Sequence, residues 1–443
     1  MMRIDGVVVR RVWDSRGRPA VEVELRAGDV CGRAISPSGA STGSGEAAER
    51  RDGGSRLGGL DVREVIDHAS PLLGAALLGV AVDDQAAFDA RLREIEPDKH
   101  RPSIGANVTI AASMAYAWLC AAASGTPLWR HLADSRGTIP RLPLPEIQIL
   151  GGGAHADGRL DIQDLLVVAP GATSVAEALE WTAEVYIAAG ALLQEQGRRG
   201  GVADEGGWWP RFESNDDALA LLTAAIERAG YDAPTQVGIA LDIAATQLWD
   251  GDRYNLRCDG RSLEPDAMRS TLVEWCDRFP IVSVEDPLAE HDAAGIALFT
   301  KAIAGRVQVV GDDLLVTDAS IVRAHGGSVT TMLLKPNQSG TLTEAADALD
   351  AARTLGLTVI ASARSGESED VTIAHVGVGW GAEGLKVGSI TRGERTAKWN
   401  ELLRIEEAVM AAGGSFVGRD ALRGTAANPG ASSGAMHCGS ATG

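Results

Sequence analysis

The chain has 443 residues, is 45% hydrophobic and carries a formal net charge of −19. That size and apolar content support a large buried core in two or three domains, while the acidic balance excludes binding to nucleic acid through a basic face. No run of about 18 apolar residues and no long apolar N-terminal segment is evident, so neither a membrane span nor a secretory signal is expected.

Residues 3–36 alternate apolar and polar positions on either side of the turn DSRGRP, which predicts an antiparallel hairpin or meander. The Gly/Ser-rich stretch SPSGASTGSGE at 36–46 reads either as a linker or as a lid whose hydroxyls reach a metal or phosphate. Residues 61–135 read as helices, including an apolar, Ala-rich one around NVTIAASMAYAWLCAAA. Strands followed by helices predict a separate α+β domain over 1–135. The segment GTIPRLPLPEI marks the boundary. From 136 to 412 strands and helices alternate, over a span near the roughly 250 residues of a (β/α)8 barrel. The Gly/Ala/Ser-rich remainder, 413–443, is expected to be disordered.

Within the barrel region one hydrophobic run after another ends in a polar residue. VGIALD ends in Asp242, IVSVED carries Glu285, VQVVGDD carries Asp312, TMLLK ends in Lys335, TVIASARS carries Arg364 and Ser365, and GLK ends in Lys386. Reactive groups at the C-terminal ends of successive strands are how such a barrel builds an active site. Composition sharpens this pattern. The chain has five lysines against 36 arginines, and two of those lysines end strands. Lysine can lose its proton at accessible pH and arginine effectively cannot.

Asp242, Glu285 and Asp312 at one mouth would repel one another without a cation. An all-oxygen set suits a hard ion, Mg²⁺; a single acid at a strand end reads equally well as a helix cap. A lysine beside such an ion has a lowered pKa and serves as a general base, and a second lysine holds a carboxylate or stabilises an enolate. Arg364 and Ser365 suit a phosphate or phosphonate, or else form a structural pair with a neighbouring acid. Glu205 in GVADEGGWWP and Asp164 in GRLDIQDLL offer a neutral, raised-pKa acid for a leaving hydroxyl. His155 in GGGAHADG reads as a site residue or as an ordinary loop histidine. The five cysteines (Cys31, Cys120, Cys258, Cys276 and Cys438) form no CxxC pair, so the expected setting is a reduced cytoplasm.

DSRGRPAVEVEL, PSGASTG, GGAHADG, ADEGG, ALDIAAT, SVEDPLAEHD, VGDDLLVT, LLKPNQSGTLTE, ARSGESED and KWNELLRIEE together resemble the blocks of the enolase family, in family order, over about residues 3–408. The resemblance implies an α/β, enolase-like fold: an N-terminal α+β capping domain and a modified (β/α)8 TIM-type barrel, as homodimers or higher homo-oligomers. It implies Asp242, Glu285 and Asp312 as Mg²⁺ ligands, with Ser41 closing over the site onto a second Mg²⁺. It implies Lys335 as the base that takes the C2 proton of 2-phosphoglycerate and Lys386 as the group holding the substrate carboxylate. Glu205 with Asp164 would help the C3 hydroxyl leave. Arg364, Ser365, His155 and Gln163 would contact the substrate.

Three departures stand against that pattern. The family has His where ASARSG has Ala363, Glu where DIQDLL has Asp164, and Asn where QILGGGAH has Gly151. A corner of the pocket is thereby enlarged and neutralised, which predicts an altered substrate. The best match is an enzyme resembling carboxyphosphonoenolpyruvate synthase of phosphinothricin-type antibiotic pathways. It would take a small phosphonate activated with CMP and a phosphoglycerate-derived partner. Ordinary dehydration of 2-phosphoglycerate is the conservative alternative, and an inactive enolase-like binding protein is a third.

Overall fold

In the computed structural model, which describes residues 2–98 and 100–422, the N-terminal meander forms as expected. Strands Gly6–Trp13, Pro19–Ala27 and Val30–Ile35 pair antiparallel in that order. Alternation on the central strand sends Val21, Val23 and Leu25 into the core, while Glu22 and Glu24, also buried, are neutralised by Arg10 at 2.5 and 2.9 Å. The sheet lies against helix Ala106–Ser124 so closely that a Cβ at Gly32 would come within 2.1 Å of the Ala115 carbonyl oxygen. By length and composition this helix could cross a bilayer, against the expectation of no such stretch, but 83% of its apolar window is buried inside the fold. It is a core helix, apolar all round because it is packed all round.

Eight strands close into a barrel: Leu144–Gly151, Asp164–Val168, Gly238–Asp242, Ile281–Glu285, Gln308–Gly311, Thr331–Leu334, Thr358–Ser362 and Gly384–Gly388. The expected alternation fails at the start. The first two strands follow one another directly, and helices Val175–Glu195 and Asn215–Arg228 come before the third. Consequently Asp164–Val168 runs antiparallel to both neighbours, and the other pairings are parallel. Barrel helices start where a hydroxyl can accept from an early backbone N–H: Ser174 from Glu177, Ser214 from Asp217 and Thr341 from Glu344.

The reading of 413–443 as disordered is corrected for its first ten residues. Ser415–Phe416 pairs with Arg141–Leu142, and Val417, Ala421 and Leu422 pack with Leu144, Leu166, Val168, Ala240 and Val282 to plug one end of the barrel. Composition diluted these few apolar residues among glycines and alanines. The rest of that reading, 423–443, lies outside the described residues.

Candidate active site

The opposite end of the barrel gathers the charged groups. Parallel strands bring their C-terminal residues Asp242 and Glu285 there as register partners. The antiparallel strand brings its first residue, Asp164, to the same end, opposite Asp242. Asp312 follows its strand directly, in a loop set by Asp286, whose carboxylate accepts from the backbone N–H of Asp312 (3.0 Å) and of Asp313 (2.9 Å). Lys335 caps the short helix after Thr331–Leu334, its own N–H donating to Thr317 Oγ1 at 2.9 Å.

The two lysines each face buried acids, Lys386 more than one of them. Lys386 Nζ donates to Glu285 Oε2 at 2.7 Å and to Asp242 Oδ2 at 3.0 Å, with Asp164 Oδ2 at 3.9 Å. Lys335 Nζ donates to Asp312 Oδ2, and Gln338 Nε2 to Asp312 Oδ1 at 2.9 Å. All five charged groups are buried. Burial alone would lower the pKa of each lysine, but the facing carboxylates outweigh it and hold both ammonium groups above the usual lysine value. With the ammonium groups in direct contact with carboxylates and no divalent ion among them, the cationic form is favoured. Burial and the nearby Asp242 charge raise Glu285 well above the usual carboxylate range.

The acids fit a hard divalent ion on an observation independent of resemblance. Glu285 Oε1 is buried and has no hydrogen-bond partner. An orphaned carboxylate oxygen among other buried acids is a position that a cation would satisfy. Beside it, Asp286, Asp312 and Asp313 bring ligand oxygens within 4.8 Å of one another.

On the other side of the mouth, His155 Nδ1 lies 3.0 Å from Asp164 Oδ1 and its Nε2 lies 4.0 Å from Glu205 Oε1. Burial disfavours the imidazolium, but the two carboxylates outweigh it and push His155 up to about 9. Asp164 moves the other way. Burial opposes its charge, yet His155, Lys386 and Gln148 hold it down to about 2. The sequence reading of a neutral acid therefore fails for Asp164, because the cations around it were not visible in its local motif. Glu205 is buried and lines the cleft, and its carboxylate has no hydrogen bond to any described residue.

The Gly/Ser-rich segment packs over the mouth of the barrel. It is anchored by paired backbone hydrogen bonds between Ser38 and Gly366 at 2.8 and 2.9 Å, and it meets Arg364, whose Nη2 donates to the Ser41 carbonyl oxygen at 2.9 Å. Arg364 also donates from Nη1 to Glu46 Oε2 at 2.9 Å. Gly39 to Ser41 thus roof a narrow cleft whose walls include His155, Gln163, Asp164, Glu205, Asp242, Lys335, Ala363, Arg364, Ser365 and Lys386. Gln163 Nε2 donates to Asp242 Oδ2 at 3.0 Å. Ser41 contributes its backbone to Arg364, and no hydrogen bond from its hydroxyl is seen among the described residues.

Four residues escaped the sequence reading. Arg16, in the DSRGRP turn, donates to Ser365 Oγ at 3.1 Å and to the Ser38 carbonyl oxygen at 3.0 Å. Glu46 balances Arg364. Gln148 donates to Asp164 and accepts from Gly207 N–H at 2.7 Å. Glu146, wholly buried beside Lys386 in the strand register, is pushed up to about 7 by that burial. The only available signal for Arg16 was its place in a turn of charged residues. Of the three departures, Gly151 has a steric reason, since a Cβ there would come within 2.4 Å of Ala203 Cβ.

Comparison with known proteins agrees with this geometry. Residues 4–132 match the family model described as the enolase N-terminal domain, and residues 140–425 match the enolase C-terminal TIM barrel domain. The chain is 44% identical over 413 residues to "Enolase" of Rubrobacter xylanophilus, covering 92% of this chain and 96% of that protein. It is 42% identical over 414 residues to "Enolase 1" of Desulfitobacterium hafniense, covering 92% and 94%. A barrel with a reversed second strand, a mouth lined by buried acids and lysines, and matches along nearly the whole length place the chain in the enolase family.

Proposed function

We propose that the chain dehydrates 2-phosphoglycerate to phosphoenolpyruvate with Mg²⁺. The observation that carries this reading is the buried cluster in which Lys335 and Lys386 face Asp242, Glu285 and Asp312 beneath a lid closed by Arg364. The names of the two relatives support the same reaction. Intact burial of all five charges favours an active enzyme over a binding protein, because buried charges are costly to keep.

Asp242, Glu285 and Asp312 would hold the ion, with Ser41 a candidate for a second. When bound, Mg²⁺ would neutralise these acids and stabilise negative charge developing on the substrate carboxylate. Lys335, as the neutral amine, would take the C2 proton, and Lys386 would pair with the carboxylate. Glu205, beside the His155–Asp164 pair, assists the departing C3 hydroxyl. Arg364, Ser365 and Arg16 hold the phosphate, and the lid excludes water. Enol absorbance in the ultraviolet on mixing enzyme, Mg²⁺ and 2-phosphoglycerate tests the reading; absence of product across a range of Mg²⁺ concentrations would overturn it.

A second reading keeps the metal and lysine set but adds a nucleotide-activated phosphonate as co-reactant. It draws on Ala363 and the short Asp164. Release of CMP from CMP-phosphonoformate in the presence of 2-phosphoglycerate, with a new phosphorus resonance, would establish it in place of the first.

A further inference from the structure

Beside the catalytic cleft lies a second, small cavity. Ser362 and Ala363 line both, so the Ala363 methyl group is part of the partition between them. The annex is walled mainly by Ile35, Pro37, Ile110, Met114, Ile373 and Val376, drawn from the capping domain and the barrel together. Its polar walls are largely satisfied: Asp370 accepts from Ile35 N–H at 2.9 Å and Glu367 pairs with Lys398 at 3.0 Å. Asn337 is the exception. It is 6% exposed, lines the annex, and its carboxamide bonds to no described residue.

A small, mainly apolar chamber divided from a reaction site by one small side chain is a place for a short apolar substrate group. Resting on the reading proposed above, we infer that this annex accepts an alkyl substituent on the C3 carbon of the substrate. The carboxylate, the phosphate, the α-proton and the leaving hydroxyl are all required for the reaction. C3 is the position that can carry an extra group without losing any of them. The chemistry is unchanged. Lys335 Nζ takes the proton from C2, the C2–H electron pair becomes the new C2=C3 bond, and the C3–O bond breaks. The hydroxyl leaves as water with a proton from the acid side of the cleft. The product from a 3-methyl substrate is a methyl-substituted enol phosphate.

The test compares 2-phosphoglycerate with its 3-methyl homologue under saturating Mg²⁺, following enol absorbance. One methylene in a fitted apolar pocket is worth about 10- to 200-fold, so kcat/KM for the homologue is expected to exceed that of the parent by about tenfold. Met114→Phe fills the far wall without touching the reacting groups. It is expected to lower the homologue-to-parent ratio at least about tenfold while leaving the parent within about twofold; Ile373→Phe serves as an independent filler. A homologue at or below the parent in the wild-type enzyme, or a ratio unmoved by both fillers, overturns the subsite. If neither compound turns over, the dehydration reading fails by itself. Calorimetric titration of both compounds with Mg²⁺ then decides the annex: tighter binding of the methyl homologue supports it, and equal or weaker binding overturns it.

Discussion

Asp164 and Asp242 stand opposite each other in the barrel register, although one begins its strand and the other ends it. The reversal of a single strand permits this. It places Asp164 within reach of His155, Gln148 and Lys386 at once, and so keeps it charged. Asp164→Asn removes the charge that holds His155 protonated. With His155 no longer held protonated beside Glu205, the acid assigned to the leaving hydroxyl, it is expected to lower kcat about 10²- to 10⁴-fold, the range for disabling an acid–base group, with little change in KM. Steady-state kinetics on 2-phosphoglycerate check this.

The same pair sets a pH dependence of stability. His155 sits at about 9 in the fold, above its unfolded value near 6.5. A raised cationic group stabilises fully below the unfolded pKa, and that contribution is lost as pH rises through the folded one. Stability of the metal-free protein is therefore expected to fall between about pH 6.5 and 9, by on the order of 3 kcal/mol from this group. Urea denaturation of wild type and His155→Gln across that range should show the slope in the first and its loss in the second.

Much of this site was legible in the chain. Asp242, Glu285 and Lys335 could be placed because parallel strands send their last residues to one mouth, so position in a hydrophobic run encodes position in space. Asp164 obeys the opposite rule and its strand direction left no local mark. Arg16 and Glu46 were missed because each meets the Arg364–Ser365 loop over a sequence separation of more than 300 residues, which no short motif records. The lid was visible only as glycines and serines, equally suited to a linker. Val417 and Leu422 were hidden by the composition around them.

Leu422 makes that last point measurable. Its side chain is 1% exposed among the residues plugging the barrel, and Leu→Ala at a buried site costs about 2–5 kcal/mol. Leu422→Ala is expected to lower the unfolding free energy by that amount, and with it the denaturation midpoint, while leaving kcat near wild type, since the plug lies at the end remote from the lysines. An unchanged midpoint would mean the segment does not pack there in solution.

Removing one partner of a buried ion pair strands the other, at a cost of about 3–5 kcal/mol. Lys386→Met leaves Asp242 and Glu285 facing each other without a cation. The metal-free variant should be destabilised by about that amount, and Mg²⁺ should restore more stability to it than to the wild-type protein. Thermal denaturation with Mg²⁺ and with a chelator measures both. Equal Mg²⁺ shifts in the two proteins would place the ion away from Asp242 and Glu285.

The lid can be tested at one atom. A Cβ on Gly39 would fall 2.0 Å from Arg364 Nη2 and 2.6 Å from the Ser41 carbonyl oxygen. Arg364 cannot easily give way, because it is buried and Glu46 holds the same guanidinium. The loop must therefore lift. Gly39→Ala is expected to leave the barrel intact, to expose residues 37–46 to limited proteolysis, and to cut kcat/KM at least about tenfold, because a lid that admits water weakens the electrostatics beneath it. Saturating substrate and Mg²⁺ should slow the proteolysis in the wild-type enzyme far more than in the variant, since only the wild-type lid can close over them.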